Sequence, residues 1–190
     1  MIRALVVQGK NISIVMETNS DSKRKISGKT IKIAESFFGT QHDPEQIPIN
    51  KESHEKLLSL NKNSVLYELD EKGEPVSWVI VIPTTETLMK DFLSSKINEK
   101  ELFDMTKLGE KYDSLYFCSA FTVPEFRNKG LALKLAESAI RKISGDRSMN
   151  IFSWAYSPEG TGLIKKLEDK LGVKILLKKQ NTWQSPVKNQ

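Results

Sequence analysis

The stretch LYFCSAFTVPEFRNKGLALKLAESAIRKI, residues 115–143, decides the fold. Its first nine residues are apolar on both faces of an extended chain, with Leu115, Phe117, Phe121 and Val123 on one side and Tyr116, Cys118 and Ala120 on the other. That is the pattern of a strand buried in mid-sheet. After Pro124 the apolar period becomes helical, through Ala132, Leu135, Ala136, Ala139, Ile140 and Ile143, and Gly145 ends the run. The junction runs Phe121-Thr122-Val123-Pro124-Glu125-Phe126-Arg127-Asn128-Lys129-Gly130-Leu131-Ala132. It opens a helix whose first N–H groups have no intrahelical partner, at the positive end of the helix dipole, with a glycine that lets the backbone come close to an anion. Arg127 and Lys129 add positive charge.

Working outward, a hairpin is expected upstream, from strands at 64–69 and 75–82 joined by the turn Asp70-Glu71-Lys72-Gly73. Residues 86–111 are polar and helix-prone, with apolar faces at Leu88, Phe92 and Leu93 and at Leu102, Phe103 and Met105. Further upstream the spacing predicts a strand over 11–16 and helices over 30–38 and 51–60. Downstream it predicts a strand over 149–156 and a helix capped by Ser157 with Pro158 in its first turn and Gly172 as its stop, then a strand over 173–177. No internal repeat or linker divides the chain, so one domain over 1–190 is expected, with a motif core over 64–173 and a helical insertion over 86–111.

The chain of 190 residues is 38% hydrophobic and 28% charged, and nowhere approaches the roughly 20 continuous apolar residues of a membrane span. Membrane association and secretion are not expected, and the single Cys118 fits a cytoplasmic protein. His42 and His54 lack metal-ligand spacing, so no metal is expected. The net charge of +5 is C-terminal, since residues 141–190 hold ten Lys/Arg against four Asp/Glu. Such an excess suits nucleic acid, a membrane surface or a phosphorylated cofactor, or is simply a solvated surface. The GxGxxG and GxxxxGK[ST] fingerprints are absent, which removes the usual support for nicotinamide, flavin or ATP.

Taken in that context, Arg127-Asn128-Lys129-Gly130-Leu131-Ala132 after Val123-Pro124-Glu125 resembles the GNAT superfamily of N-acetyltransferases, whose signature is Arg/Gln-X-X-Gly-X-Gly/Ala after a strand ending in Val-X-Pro. The later Lys170-Leu171-Gly172-Val173 is similar to the family's Lys-Leu-Gly-Phe ending. The resemblance implies an α/β (α+β) fold, with a mixed, mostly antiparallel central sheet flanked by helices. It implies acetyl-coenzyme A as co-substrate: the backbone of Phe121, Thr122 and Val123 would pair with the pantetheine arm, and Asn128, Lys129, Gly130, Leu131, Ala132 and Leu133 would hold the diphosphate, with the side chain of Arg127 or Lys129 assisting. Family members place an Asn and, seven residues on, a Tyr that protonates the departing thiolate. The corresponding positions here are Thr161 and Glu168. Thr161 can still bond the cofactor arm, but an ionised Glu168 is a poor acid.

The implied reaction is direct attack of a primary amine, on a small molecule or a peptide, upon the thioester carbonyl. Weak candidates for acid and base are Tyr156, Glu86 and Glu125. Cys118 reads as core, because no histidine pairs with it in sequence, and Trp78, Trp154 and Trp183 read as core or cleft wall, with Trp154 near the acceptor. A second reading is a GNAT-like module that binds acyl-coenzyme A without turnover, motivated by Thr161 and Glu168. A third, a nucleic-acid binder built on the basic C-terminal part, is disfavoured by the lack of interleaved aromatics there. The acceptor is unidentified, and a homodimer is compatible with these readings.

Overall fold

The computed structural model describes residues 45–48, 50–155 and 157–179. The strand expected over 11–16, the helix over 30–38, His42, Tyr156 and Trp183 lie outside them. The described residues form a mixed five-stranded sheet in the order β1-β2-β3-β4-β5, flanked by five α-helices. β1 (Val65–Leu69), β2 (Pro75–Thr84) and β3 (Ser114–Thr122) are antiparallel neighbours. β4 (Asn150–Ser153) and β5 (Ile175–Leu177) continue the sheet in parallel from β3. The expected β1–β2 turn is present: Asp70 Oδ1 accepts from the Lys72 and Glu74 amides at 2.9 Å each, and Gly73 takes the left-handed conformation at φ +77°.

One sheet face packs beneath α4 (Leu131–Ser144) and α5 (Pro158–Leu171), the helices of the two parallel crossovers. Leu135, Ala136, Ala139, Ile140 and Ile143 of α4 and Ile164 and Leu167 of α5 are buried against Val79, Val81, Leu115, Phe117 and Ile151. The apolar spacing read from the sequence is therefore the stripe that fixes α4, and truncating Leu135 to alanine would cost about 2–5 kcal/mol. The opposite face packs beneath α1 (Lys51–Leu60), α2 (Glu86–Leu93) and α3 (Glu99–Met105), with Leu57, Phe92 and Leu102 over Ile82, Tyr116 and Phe152. α3 starts with a reciprocal capping box between Asn98 and Glu101, and α5 starts with Ser157 Oγ accepting from the Gly160 amide.

Two irregularities shape the middle of the sheet. First, Val81 pairs with Phe117 but Ile80 pairs with Ser119, so Cys118 has no partner on β2 and forms a bulge. The alternation expected along β3 therefore holds only as far as Cys118. Beyond it Ala120 packs with the Leu115 and Phe117 cluster, while Phe121 stacks on Trp78 at 4.4 Å between centroids and Val123 joins them. One inserted residue has moved every later side chain to the other face. Second, β4 pairs only with Ser114 to Phe117, although β3 continues to Thr122. β4 is shorter than the sequence suggests because its chain leaves the sheet there. The buried Ser153 hydroxyl donates to the Phe117 carbonyl at 2.8 Å and closes the ladder at the point of departure.

Candidate active site in the split sheet

Beyond Phe117 the two arms of the sheet separate, and β3 from Ser119 to Thr122 keeps a strand partner on the β2 side alone among the described residues. The Val123 amide donates to the Val76 carbonyl at 2.9 Å, so the ladder's alternation aims the backbone groups of Ala120 and Thr122 away from β2 and into the gap. The Ser77 hydroxyl lies 2.9 Å from the Phe121 carbonyl and 2.8 Å from Thr122 Oγ1. The strand end is thus held from its β2 side while its other edge faces the split.

Pro124–Phe126 form a short 3-10 turn, after which Asn128 and Gly130 both adopt left-handed backbone at φ +61° and +73°. These two reversals place the N-terminus of α4 beside the end of β3. Asparagine tolerates that conformation and glycine is suited to it. No side chain caps α4, and the Lys134 amide is the one that reaches the Gly130 carbonyl, at 3.0 Å. The amides of Leu131, Ala132 and Leu133 therefore have no intrahelical acceptor. A Cβ built on Gly130 would meet nothing within 4 Å, so the space before this turn is open. Of the strand residues expected to pair with the pantetheine arm, Thr122 turns its backbone to the gap, whereas the Val123 amide and the Phe121 carbonyl are taken on the β2 side by Val76 and Ser77.

The cationic side chains of the turn are engaged locally. Arg127 Nε donates to the Thr122 carbonyl at 3.1 Å, and Lys129 Nζ lies 4.5 Å from the centre of the Phe126 ring. Arg127 also lies close enough to Glu159, in the first turn of α5, to help hold that carboxyl below its usual range, after its own backbone and the Ser157 hydroxyl. The starts of α4 and α5 thus flank the same split.

Several expected roles change in the fold. The Thr161 hydroxyl is exposed and donates to the Ser157 carbonyl at 3.2 Å, within its own helix. Glu168 accepts from the Ile175 amide at 2.8 Å and fastens the start of β5 to the last turns of α5, so its carboxylate serves the fold. Glu86 ion-pairs with Lys90 at 2.9 Å beyond the Thr84 end of β2, which neighbours Ser114 at the opposite end of β3 from the split. Glu125 is exposed on the 3-10 turn. Glu86 therefore lies away from the split.

A buried carboxylate that meets β3 at the bulge is Glu99, to which the sequence reading assigned no site role. Glu99 opens α3 and is only 7% exposed. Its Oε1 accepts from the Tyr116 hydroxyl at 2.6 Å and from Cys118 Sγ at 3.6 Å, which ties it to the bulge. Burial, then the charge and hydrogen bond of Glu99, push the Cys118 thiol well above its usual range, so the thiol stays protonated and is not a ready nucleophile. Around Glu99 lie Phe92, with its ring centre 5.0 Å from that of Tyr116, and Trp154, the first residue after β4, at 6.0 Å from Phe92. The Asn98-X-X-Glu101 pattern signals the helix start, but the spacing gives no hint that Glu99 meets Tyr116 and Cys118. Among the described residues, no group of three or more His, Cys, Asp or Glu could hold a metal ion, and no helix is long and apolar enough to cross a membrane.

No protein-family model and no curated protein matches the chain. Solved structures do. An aminoglycoside acetyltransferase from an uncultured soil metagenomic sample, in complex with trehalose, superimposes with a TM-score of 0.50 at 16% identity, over 88% of this chain and 91% of its own. The xEco2 acetyltransferase domain bound to a CoA conjugate gives 0.48 at 12% identity, over 90% and 93%. A ribosomal-protein-alanine N-acetyltransferase from Brucella melitensis biovar Abortus 2308 gives 0.44 at 14% identity, over 87% and 93%. At these identities the likeness concerns architecture alone. The chain has the fold of the GNAT-superfamily acetyltransferases.

Proposed function

We propose that the chain is an N-acetyltransferase that uses acetyl-coenzyme A and a primary amine. The observation that supports this best is the pairing of an open strand edge with an uncapped helix N-terminus: Ala120 and Thr122 present backbone groups to the split, and Gly130 leaves clear space before the amides of Leu131 to Leu133. A pantetheine arm fits the first as an added strand, and a diphosphate fits the second. Asn128, Lys129 and Gly130 shape the approach to those amides. When bound, the co-substrate supplies an activated acetyl group as a thioester. Glu99, buried beside the bulge, is placed to take the amine proton, and Tyr116 orients its carboxylate through the 2.6 Å bond. Amides at the split polarise the carbonyl oxygen.

A second reading, a module that binds acyl-coenzyme A without transferring the acyl group, is favoured by the structural duties of Thr161 and Glu168. Calorimetric titration with acetyl-coenzyme A, followed by measurement of free thiol with a panel of primary amines, separates the two. Binding with amine-dependent thiol release is the expected result, binding without release would replace the first reading by the second, and no binding would remove both.

A further inference from the structure

Lys178 is the first residue after β5, and its amide donates to the Ser153 carbonyl at 3.0 Å, so it hangs from the β4–β5 arm of the split. Its side chain turns toward the α1–α3 face. There Nζ lies 4.0 Å from the centre of the Phe92 ring and 4.7 Å from that of Trp154. Two aromatic faces on one ammonium form a partial cage of the kind that recognises alkylammonium groups. Glu45 and Glu99 act on the same ammonium electrostatically. Burial nonetheless holds its pKa below the ordinary lysine range, which enlarges the neutral, nucleophilic fraction. The chain of contacts from Nζ to the split is continuous: Phe92 packs on Tyr116, Tyr116 donates to Glu99, and Glu99 accepts from Cys118 where β3 parts from β2's register. Lys51 and Lys90, by contrast, are exposed on helices and each pairs with a carboxylate one turn away. Lys178 instead places a primary amine over two aromatic rings, with the buried Glu99 acting on it electrostatically.

We propose that Lys178 is an acceptor of the chain's own acetyl transfer, an intramolecular modification site that occupies the alkylammonium position of the split. The proposal rests on the acetyltransferase reading above. One proton leaves the Lys178 ammonium for the Glu99 carboxylate, and the freed Nζ pair forms a bond to the thioester carbonyl carbon. The C–S bond breaks and its electrons go to sulfur. Nζ loses a second proton, the thiolate takes one proton to give free coenzyme A, and the other passes to solvent. The lysine keeps one N–H, as a neutral acetamide.

The test uses the full chain incubated with acetyl-coenzyme A and no added amine, with acetyl occupancy at Lys178 followed by peptide mass spectrometry and acetyl-coenzyme A binding followed in parallel by calorimetry. Acetyl-Lys178, present as purified or gained on incubation, is expected at a first-order rate independent of protein concentration. That rate should exceed the rates at Lys51 and Lys90 by at least about tenfold, and fall by a similar factor in Glu99→Gln and in urea. Lys178→Arg should keep acetyl-coenzyme A affinity and lose the modification from that peptide. If the chain binds acetyl-coenzyme A and releases thiol with an added amine, yet Lys178 is modified no faster than Lys51, the self-acetylation inference falls and the acetyltransferase reading stands. If the chain binds no acetyl-coenzyme A, both fall.

Discussion

Replacing Gly130 by alanine separates the cost of the turn from its use. Gly130 sits at φ +73° with nothing within 4 Å of a Cβ, so alanine meets no clash and the cost is purely conformational. The left-handed conformation disfavours an L-residue by about 1–2 kcal/mol. For a chain of this size that lowers Tm by about 2–8 °C. Gly109, at φ +80° and equally open, is a matched control in the loop after α3, so Gly109→Ala should lose a similar amount. Ligand binding should divide the pair. In the proposed complex the added Cβ would stand beside the diphosphate, and relaxing the turn would misalign the amides proposed to donate to it. One charge-assisted amide bond contributes about 1.5–3 kcal/mol. Its loss weakens acetyl-coenzyme A binding roughly ten- to a hundredfold. The assay is calorimetric titration of both variants beside a thermal melt. A Gly130→Ala affinity within a factor of about two of the parent, in a folded variant, would refute the placement of the diphosphate at this turn.

Three further outcomes follow from the site and its supports. Glu99→Gln keeps the size of the side chain but removes the base, so kcat/KM for an amine should fall roughly 10²–10⁴-fold with acetyl-coenzyme A affinity unchanged; steady-state kinetics showing parent-like turnover would exclude Glu99 as the base. Cys118 should react with iodoacetamide at pH 8 far more slowly in the folded chain than in urea, because burial and the Glu99 charge raise its pKa and keep the thiol protonated. Glu99→Gln should speed that alkylation, and equal rates in folded and unfolded protein would contradict the contact. Glu168→Ala should lower stability by about 1.5–3 kcal/mol in urea, through loss of the bond to the Ile175 amide, whereas exposed Thr161→Ala should stay within about 0.5 kcal/mol.

Local chemistry was legible from the amino-acid order. Ser157, Pro158 and Gly172 mark both ends of α5, the Asp70 turn makes the hairpin, and the stripe from Leu135 to Ile143 is the buried face of α4. The turn from Arg127 to Gly130 was found by its residues, although the fold turns the Arg127 side chain back on Thr122. Features that depend on pairing between distant segments were not legible. The bulge at Cys118 is set by register against β2, so alternation alone carried Phe121 to the wrong face. Counting from the Lys170-Leu171-Gly172 ending put Glu168 in a catalytic position, but a carboxylate one turn before a helix end can also reach the next strand's amide, and here it does. Glu99 and Lys178 look like an ordinary first-turn acid and a tail lysine until Tyr116, Phe92 and Trp154 are brought beside them.

The most direct measurement is a crystal structure of the full chain grown with acetyl-coenzyme A. The expected density places the diphosphate within hydrogen-bond distance of the Leu131 to Leu133 amides, the pantetheine arm along Ala120 and Thr122, and the thioester in the split between Cys118 and Ser153. Density for the cofactor elsewhere on the protein, or a split left empty at saturating concentration, would contradict the account.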